Sequence, residues 1–327
     1  MALTPVLVLS DGVAGHDRAS AGVLAALSQH RRIDPVWLPV REVRPASRRL
    51  ARLAAAATDP ARWLDRGVVC AARWPPHAEI VVSAGPATAA VNIAAARRYG
   101  ARNVYCGFAK WPVVGFHVLL TPVPSRARAA VLAPRPTDLD ATRLPGPRPL
   151  GAPGQRTVAL LLGGDSKHYA YTRGDMDALA ASLAALLASR PDWSLIAFDS
   201  RRTAPHLFDV LARALGHCER LDTVRYARAG LGSNAPAFEA DLAVVTEDSL
   251  SMITEAVAAA RPTLVARADG YRGPRRDRRE VDALAAAGRV ARTTFSALTV
   301  ETLERVLRPP HTSQPAALSA LLQARGL

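Results

Sequence analysis

Three short polar segments carry side chains able to do chemistry, and each follows an apolar run. The first is Gly163-Gly164-Asp165-Ser166-Lys167-His168, directly after Thr157 to Leu162 (TVALLL). Paired glycines let a backbone approach a ligand closely. Free amides there, with the Ser166 hydroxyl and the Lys167 ammonium, suit a diphosphate. The spacing matches neither the Walker A loop nor the dinucleotide fingerprint, so neither ATP hydrolysis nor NAD binding follows. Lys167 stands out because Lys110 is the only other lysine among 42 basic residues. The plain alternative is a tight strand-to-loop turn with solvated polar residues.

The second segment, Val245 to Glu255 (VTEDSLSMITE), reads as a strand end running into a helix that Asp248, Ser249 or Ser251 can cap. A helix N-terminus offers unpaired amides and partial positive charge, hence an anion site. Glu247, Asp248, Ser249 and Ser251 cluster at that end. Glu255, four residues after Ser251, shares its face and can accept hydrogen bonds from ribose hydroxyls. A well-capped helix with a surface glutamate is the alternative.

The third segment is Ser10 to His16 (SDGVAGH), closing the first apolar run. Its turn, with Gly12 and Gly15, carries Asp11 and His16. Histidine titrates near neutrality and can take a proton from an acceptor hydroxyl; Asp11 can do the same or orient it. The alternative is a capping aspartate beside a solvated histidine. Weaker signals are the strand-end turn at Gly85 and the segment Asp199 to Thr203 (DSRRT), where Ser200 and Arg201 add hydroxyl and cationic groups. The arginine cluster from Arg272 to Arg279 reads as a mobile basic loop. No cluster has clear metal-ligand spacing, and G-x-S-x-G is absent.

These segments need scaffolds. Apolar runs at Pro5–Leu9, Glu79–Ser83, Thr157–Leu162, Ser194–Phe198, Ala240–Val245 and Pro262–Ala266 are short and uninterrupted, the pattern of strands buried on both faces. Shorter strands are expected at Pro35–Val40, Asn103–Cys106 and Val118–Leu120. Ala-, Leu- and Arg-rich stretches between them read as helices, including one to about Gln29, one ending at Gly100, and one capped by Asp175 and running to about Ser189. Strand–helix alternation predicts parallel, doubly wound sheets. The Pro-rich stretch Pro134 to Gln155 cannot enter a sheet or helix interior and is the best linker. The expected domains are 1–145 and 146–327, the terminal helix packing back on the first. Such sheets bind ligands at the carboxyl ends of their strands, which puts the site between the two halves.

Composition bounds the rest. The chain has 327 residues, room for two domains of roughly 150. No run of about 18 apolar residues exists to span a membrane. The N-terminus lacks a positively charged leader and a small-residue cleavage site. Three scattered cysteines, Cys70, Cys106 and Cys218, suit free thiols in a reducing cytoplasm. The net charge of +14 is nearly all arginine and is scattered. Without an aromatic-interleaved basic stripe it does not point to nucleic acid. A peripheral contact with anionic membrane is the charge-driven role that stays open.

SDGVAGHDRAS, LLLGGDSKHY and VTEDSLSMITEA, with the SRRT segment between the last two, together resemble the bacterial and plant family named for a mitochondrial-fission protein. Its bacterial members are commonly treated as GT-B-type glycosyltransferases. The stretch VTEDSLSMITEAVAAARPTLV is also similar to the donor-binding segment of GT-B enzymes such as the peptidoglycan N-acetylglucosaminyltransferase. The resemblance implies two Rossmann-like domains facing a cleft, with a nucleotide-sugar donor, UDP-linked by default, on the C-terminal one. It implies diphosphate held by Gly163, Gly164, Ser166, Lys167 and the helix near Ser249, ribose held by Glu255, and no metal or separate cofactor. Asp11 and His16 would contain the base for an inverting attack by a sugar or lipid-linked acceptor bound near Gly12, Gly15 and Gly85. The chain departs from the family around Gly107 to Pro112 (GFAKWP), which leaves the identity of the acceptor open. The rival expectations are a non-catalytic two-domain protein that recruits a partner or membrane, and a nucleotide-sugar epimerase.

Overall fold

The computed structural model describes residues 3–42, 47–70, 72–108, 110, 112–139, 141–148, 154–166, 169–216, 221–224, 235–307 and 314–327. Lys167, His168 and Cys218 lie outside the described residues. The chain divides into two units: one runs to Leu139 and takes in Gln314–Leu327, the other is Asp140–Ser313. The expected break after Pro145 thus falls a few residues earlier. The reason is local: the Arg148 amide donates to Asp241 Oδ1 at 2.9 Å and the buried Arg261 guanidinium donates to the Pro145 carbonyl, which fastens this stretch to the second unit.

In the first unit the order is β1 (Thr4–Ser10), α1 (Ala14–Ser28), β2 (Ile33–Glu42), α2 (Arg48–Ala57), α3 (Pro60–Gly67), β3 (Val68–Cys70), β4 (Ile80–Ala84), α4 (Ala89–Tyr99), β5 (Arg102–Cys106), β6 (Val118–Thr121) and β7 (Ala130–Leu132). These strands form one sheet, β3-β2-β1-β4-β5-β6-β7, parallel except for β2–β3. Every residue of β4 is buried, because helices cover both faces of a parallel sheet. One layer of core joins Val6, Val8, Val23, Leu27 and Val82; the other joins Leu7, Leu9, Leu38, Val81 and Ile93. The last helix, numbered below as α10, adds Leu318 and Leu322 to the first layer. His30 fixes that end, Nδ1 against Ser319 Oγ at 2.9 Å and Nε2 against the Leu327 carbonyl at 3.0 Å.

The second unit runs β8 (Arg156–Leu161), α5 (Arg173–Ser189), β9 (Trp193–Phe198), α6 (Pro205–Leu215), β10 (Leu221–Val224), β11 (Leu242–Thr246), α7 (Leu250–Ala258), β12 (Thr263–Arg267), α8 (Arg275–Ala286), β13 (Ala291–Thr294) and α9 (Val300–Val306); α10 (Gln314–Gln323) then returns to the first unit. Its sheet, β10-β9-β8-β11-β12-β13, is wholly parallel. Helix α5 begins at Thr172, whose hydroxyl accepts from the Asp175 amide while the Asp175 carboxylate accepts from the Thr172 amide. Asp175 is therefore the third residue of a capping box, not the cap itself.

The arginine cluster is another correction. From Arg275 onward it is helical, because Val281 and Leu284 recur three residues apart and both are buried. In each sheet the strand order reverses beside the first strand: between β1 and β4, and between β8 and β11. There the connections leave in opposite directions, and the carboxyl ends open a crevice.

Candidate functional site

At the β1/β4 switch point of the first unit, β1 ends on Ser10 and the chain turns through Gly12, at φ +74°, into α1. Ser10 Oγ accepts from the Gly12 amide at 3.1 Å, and Asp11 Oδ1 accepts from the Val13 amide at 3.2 Å. The turn therefore holds the Asp11 carboxylate still. His16, in the first turn of α1, places Nδ1 at 3.0 and 2.9 Å from the two Asp11 oxygens. The Asp11 side chain is 9% exposed and that of His16 30%. A carboxylate on Nδ1 selects the tautomer protonated there, so Nε2 presents a lone pair. No described residue hydrogen-bonds Nε2. The arrangement is a partly exposed imidazole held by a carboxylate, chemically able to accept a proton at Nε2.

Gly85, at the end of β4, completes this group. It adopts φ +87°, and a Cβ there would sit 2.2 Å from His16 Nδ1. The glycine leaves the space that the imidazole occupies. Gly15 has open space around its Cα and Gly12 is exposed, so neither is shaped by a neighbour in the fold. Behind the site, the buried Asn92 donates to Ser83 Oγ at 3.0 Å and to the Val104 carbonyl at 3.2 Å. Its own oxygen accepts from Asn103 at 2.8 Å, and this network ties β4 to β5.

At the β8/β11 switch point of the second unit, the centre is Asp248. Its side chain is 1% exposed and accepts from four donors: the Gly164 amide at 2.9 Å, Arg202 Nη2 at 2.8 Å, the Tyr171 hydroxyl at 2.7 Å and the Thr246 hydroxyl at 2.7 Å. Thr246 Oγ1 in turn accepts from the Gly163 amide at 2.8 Å. The amides expected to face a diphosphate are thus both spent inside the protein. The glycines are needed for another reason. A Cβ on Gly163 would meet Asp248 Oδ2 at 2.2 Å, and one on Gly164 would meet the Arg202 carbonyl oxygen at 2.0 Å. The close approach is to the protein's own turn.

The segment after β9 supplies that turn. Ser200 Oγ accepts from the Arg202 amide at 3.2 Å and pairs with Thr203 Oγ1 at 3.0 Å. Ser200 is therefore turn structure, Arg201 is exposed, and the arginine of this segment that pairs with Asp248 is Arg202. Arg202 also donates to the Gly164 carbonyl at 3.0 Å. Ser166 forms a tight turn with Tyr169, whose amide donates to Ser166 Oγ at 3.2 Å. Glu247 belongs to the frame too: its buried carboxylate takes both of its hydrogen bonds, 2.9 and 2.8 Å, from Arg292 Nη2.

Tyrosines went unnoticed in the sequence. Tyr169, Tyr171 and Tyr271 pack edge to face around Tyr169, with centroids 5.3 and 5.2 Å apart, and Tyr171 stacks on Phe295. Burial, then the Asp248 charge, pushes the Tyr171 phenol far above its ordinary range. Burial, with the charges of Asp248 and Glu247, lifts Tyr271 to about 12. Burial and the hydrogen bond to Asp175 lift Tyr169 to about 12. Tyr169 and Tyr171 donate their hydroxyls to Asp175 and Asp248, and none of the three is a base near neutrality. The recognisable signal was Tyr169-Ala170-Tyr171, three aromatic or small residues closing the GGDSKH loop.

Helix α7 remains. Ser249 is its N-cap residue, buried, yet no side chain caps the helix. The first-turn amides of Leu250, Ser251 and Met252 are therefore without a side-chain acceptor among the described residues. Ser251 is exposed at this end, and Glu255, one turn further on, is buried. Among the described residues no three His, Cys, Asp or Glu side chains gather as a metal-binding group, and no helix is long and apolar enough to cross a membrane.

The fold is shared with solved structures. The chain is similar to the glycosyltransferase SnogD from Streptomyces nogalater (15% identity, TM-score 0.52, 99% of each chain covered). It is similar to the UDP-GlcNAc 2-epimerase from Neisseria meningitidis bound to UDP-GlcNAc (12% identity, TM-score 0.56, 99% of each chain). It is likewise similar to MnaA from S. aureus in complex with UDP (11% identity, TM-score 0.51, 98% of this chain and 95% of the other). These likenesses establish the GT-B fold, two Rossmann-like domains. Among curated proteins no significant relative is found. The model of the family described as mitochondrial fission ELM1 matches residues 14–321, nearly the whole chain. The chain belongs to the mitochondrial fission ELM1 family.

Proposed function

We propose that this protein is a glycosyltransferase that takes a sugar from a nucleotide-sugar donor and passes it to an acceptor hydroxyl with inversion. The observation that carries the reading is the start of α7: uncapped first-turn amides at the β8/β11 switch point, beside the Ser249 and Ser251 residues and one turn before Glu255. Amides there favour a diphosphate by both hydrogen bonding and the helix dipole. In this reading Glu255 accepts hydrogen bonds from the ribose, and Lys167 adds a cation to the phosphates. Gly163, Gly164, Glu247 and Asp248 are the frame that aims α7 and its preceding turn. UDP is the first donor nucleotide to test, because the S. aureus and N. meningitidis neighbours hold UDP and UDP-GlcNAc.

His16 is the base in this scheme. Its Nε2 takes the acceptor proton as the acceptor oxygen bonds to the anomeric carbon. The bond from that carbon to the diphosphate oxygen breaks on the opposite face, and its electron pair leaves with the nucleoside diphosphate. Asp11 stabilises the imidazolium that forms. The α7 amides and Lys167 balance the leaving charge, so the scheme requires no metal. The acceptor is a sugar or a lipid-linked hydroxyl.

The test is a thermal-shift panel of UDP, GDP, CMP, ADP and their sugars. A ligand at a hundredfold excess over its dissociation constant stabilises the folded state by about 2.7 kcal/mol. One nucleotide should raise the melting temperature, and Glu255→Gln and Lys167→Ala should abolish the shift. His16→Ala should keep the shift while turnover falls about 10²–10⁴-fold. No shift with any nucleotide would replace this reading with that of a binding protein. A rearranged sugar nucleotide formed without acceptor would replace it with an epimerase.

A further inference from the structure

One charged feature belongs to neither switch point. A cavity of about 290 Å³ in the second unit is lined by Arg267, Arg275, Arg278, Arg279, Arg292 and Asp282. Arg267 ends β12, Arg275, Arg278 and Arg279 lie in the first two turns of α8, and Arg292 is in β13. Five guanidinium groups face one carboxylate.

The internal pairing does not neutralise them. Arg292 is held by Glu247 at 2.8 Å and by Asp282, so those two carboxylates are shared with one arginine. Among the described residues, no carboxylate pairs with Arg267, Arg275, Arg278 or Arg279. Their placement on the helix makes matters worse. The first turns of α8 are the positive end of its dipole, where cations are disfavoured; its N-cap, Pro274, makes no side-chain cap bond, and the first turn carries the acidic Asp277. A solvated basic face would spread its charges apart, since like charges repel more strongly as they approach and lose water. Here they converge on a concave site.

We propose that this cavity is a second anion site, distinct from the α7 start, and that it binds a diphosphate group. Guanidinium forks match phosphate oxygens two at a time, and the positive end of the α8 dipole adds to the same polarity. A diphosphate supplies the several negative charges that four unpaired arginines require. The same group is offered by a soluble diphosphate or by a lipid diphosphate at a membrane surface. The inference does not rest on the donor reading of α7.

The test uses the full chain and inorganic pyrophosphate, titrated calorimetrically at low and at physiological salt. Wild type should bind, more weakly at the higher salt. Arg278→Ala with Arg279→Ala should weaken binding at least about tenfold, since hydrogen bonds to charged groups are among the strongest. Both side chains are exposed, so an unchanged melting temperature should accompany the loss. Lys167→Ala, which removes the cation assigned to the phosphates at α7, should leave this pyrophosphate binding intact, and the double arginine variant should keep the nucleotide shift; the two sites therefore fail separately. Flotation with phosphatidylcholine vesicles, with and without farnesyl diphosphate, separates the sources. Capture that needs both the lipid diphosphate and the arginines assigns a membrane ligand; pyrophosphate binding without capture assigns a soluble one. No pyrophosphate binding, binding undiminished in the double arginine variant, or loss in Lys167→Ala instead would overturn the proposal.

Discussion

Removing the Asp248 carboxylate should unfold the second unit's switch point before it touches ligand chemistry. The side chain is 1% exposed and receives four hydrogen bonds, three of them from the Gly164 amide, Tyr171 and Thr246. Asp248→Ala leaves the Gly164 amide and the Tyr171 hydroxyl buried without an acceptor. Each orphaned donor costs about 1–3 kcal/mol. The Arg202 contact adds little, because that arginine is 40% exposed and screened by water. The two orphaned donors together cost about 2–6 kcal/mol, a span that includes the range for breaking a buried charged pair. In a unit of this size 1 kcal/mol moves the melting temperature by about 2–4 °C. Asp248→Ala should therefore melt at least about 4 °C lower. Tyr171→Phe should cost less by itself and should reduce the further cost of Asp248→Ala, because the two share one bond. The assay is calorimetric unfolding of the four proteins without ligand. An Asp248→Ala protein with wild-type stability that had lost only nucleotide binding would refute the frame assignment and return Asp248 to the ligand.

Gly85→Ala should lower turnover while sparing nucleotide binding, because its Cβ would occupy the place of His16 Nδ1 and L residues are strained at φ +87°; paired kcat and thermal-shift measurements check it. Gly164→Ala should lower the melting temperature strongly, since its Cβ would lie 2.0 Å from a backbone oxygen that cannot swing away. Stability should also fall in alkali. Burial raises the Cys106 thiol from 9.0 to about 12, and Tyr169 and Tyr271 rise from 10.0 to about 12. The unfolded chain loses these protons first, so the stabilisation is complete below about pH 9 and drains away toward pH 12. Urea midpoints at pH 8, 10 and 11 should fall, and less steeply in Cys106→Ala.

The central strands were legible because helices cover both faces of each sheet, which demands unbroken apolar runs such as TVALLL and EIVVS. The edge strands were not. β13 reads ARTT, half-exposed at every position, and β3 is three residues long. The start of α8 looked like loop because its arginines hid the Val281–Leu284 spacing. The strand-end motifs were legible as places. What the sequence does not show is which of their atoms are already used: the partner of the Gly164 amide lies 84 residues away, and that of the Gly163 amide 83. A glycine pair looks the same whether it makes room for a phosphate or for a carboxylate of the same chain.

That difference is what separates two aspartates that otherwise look alike. Asp11 follows β1 and Asp248 follows β11, each a nearly buried carboxylate in a turn that leads into a helix at a switch point. Asp248 is met by four donors from four segments of the unit, so it has no capacity left for a ligand and can only hold geometry. Asp11 spends one oxygen on the Val13 amide and directs both toward a single histidine, whose second nitrogen no described residue engages. A saturated carboxylate rigidifies the turn that leads into α7, whereas the Asp11–His16 pair keeps a ring nitrogen unengaged by any described residue. Asp11→Asn should therefore leave stability nearly unchanged while turnover falls, because the amide can present its NH₂ to Nδ1 and trap the wrong tautomer. Equal losses of stability in Asp11→Asn and Asp248→Asn would sink the distinction.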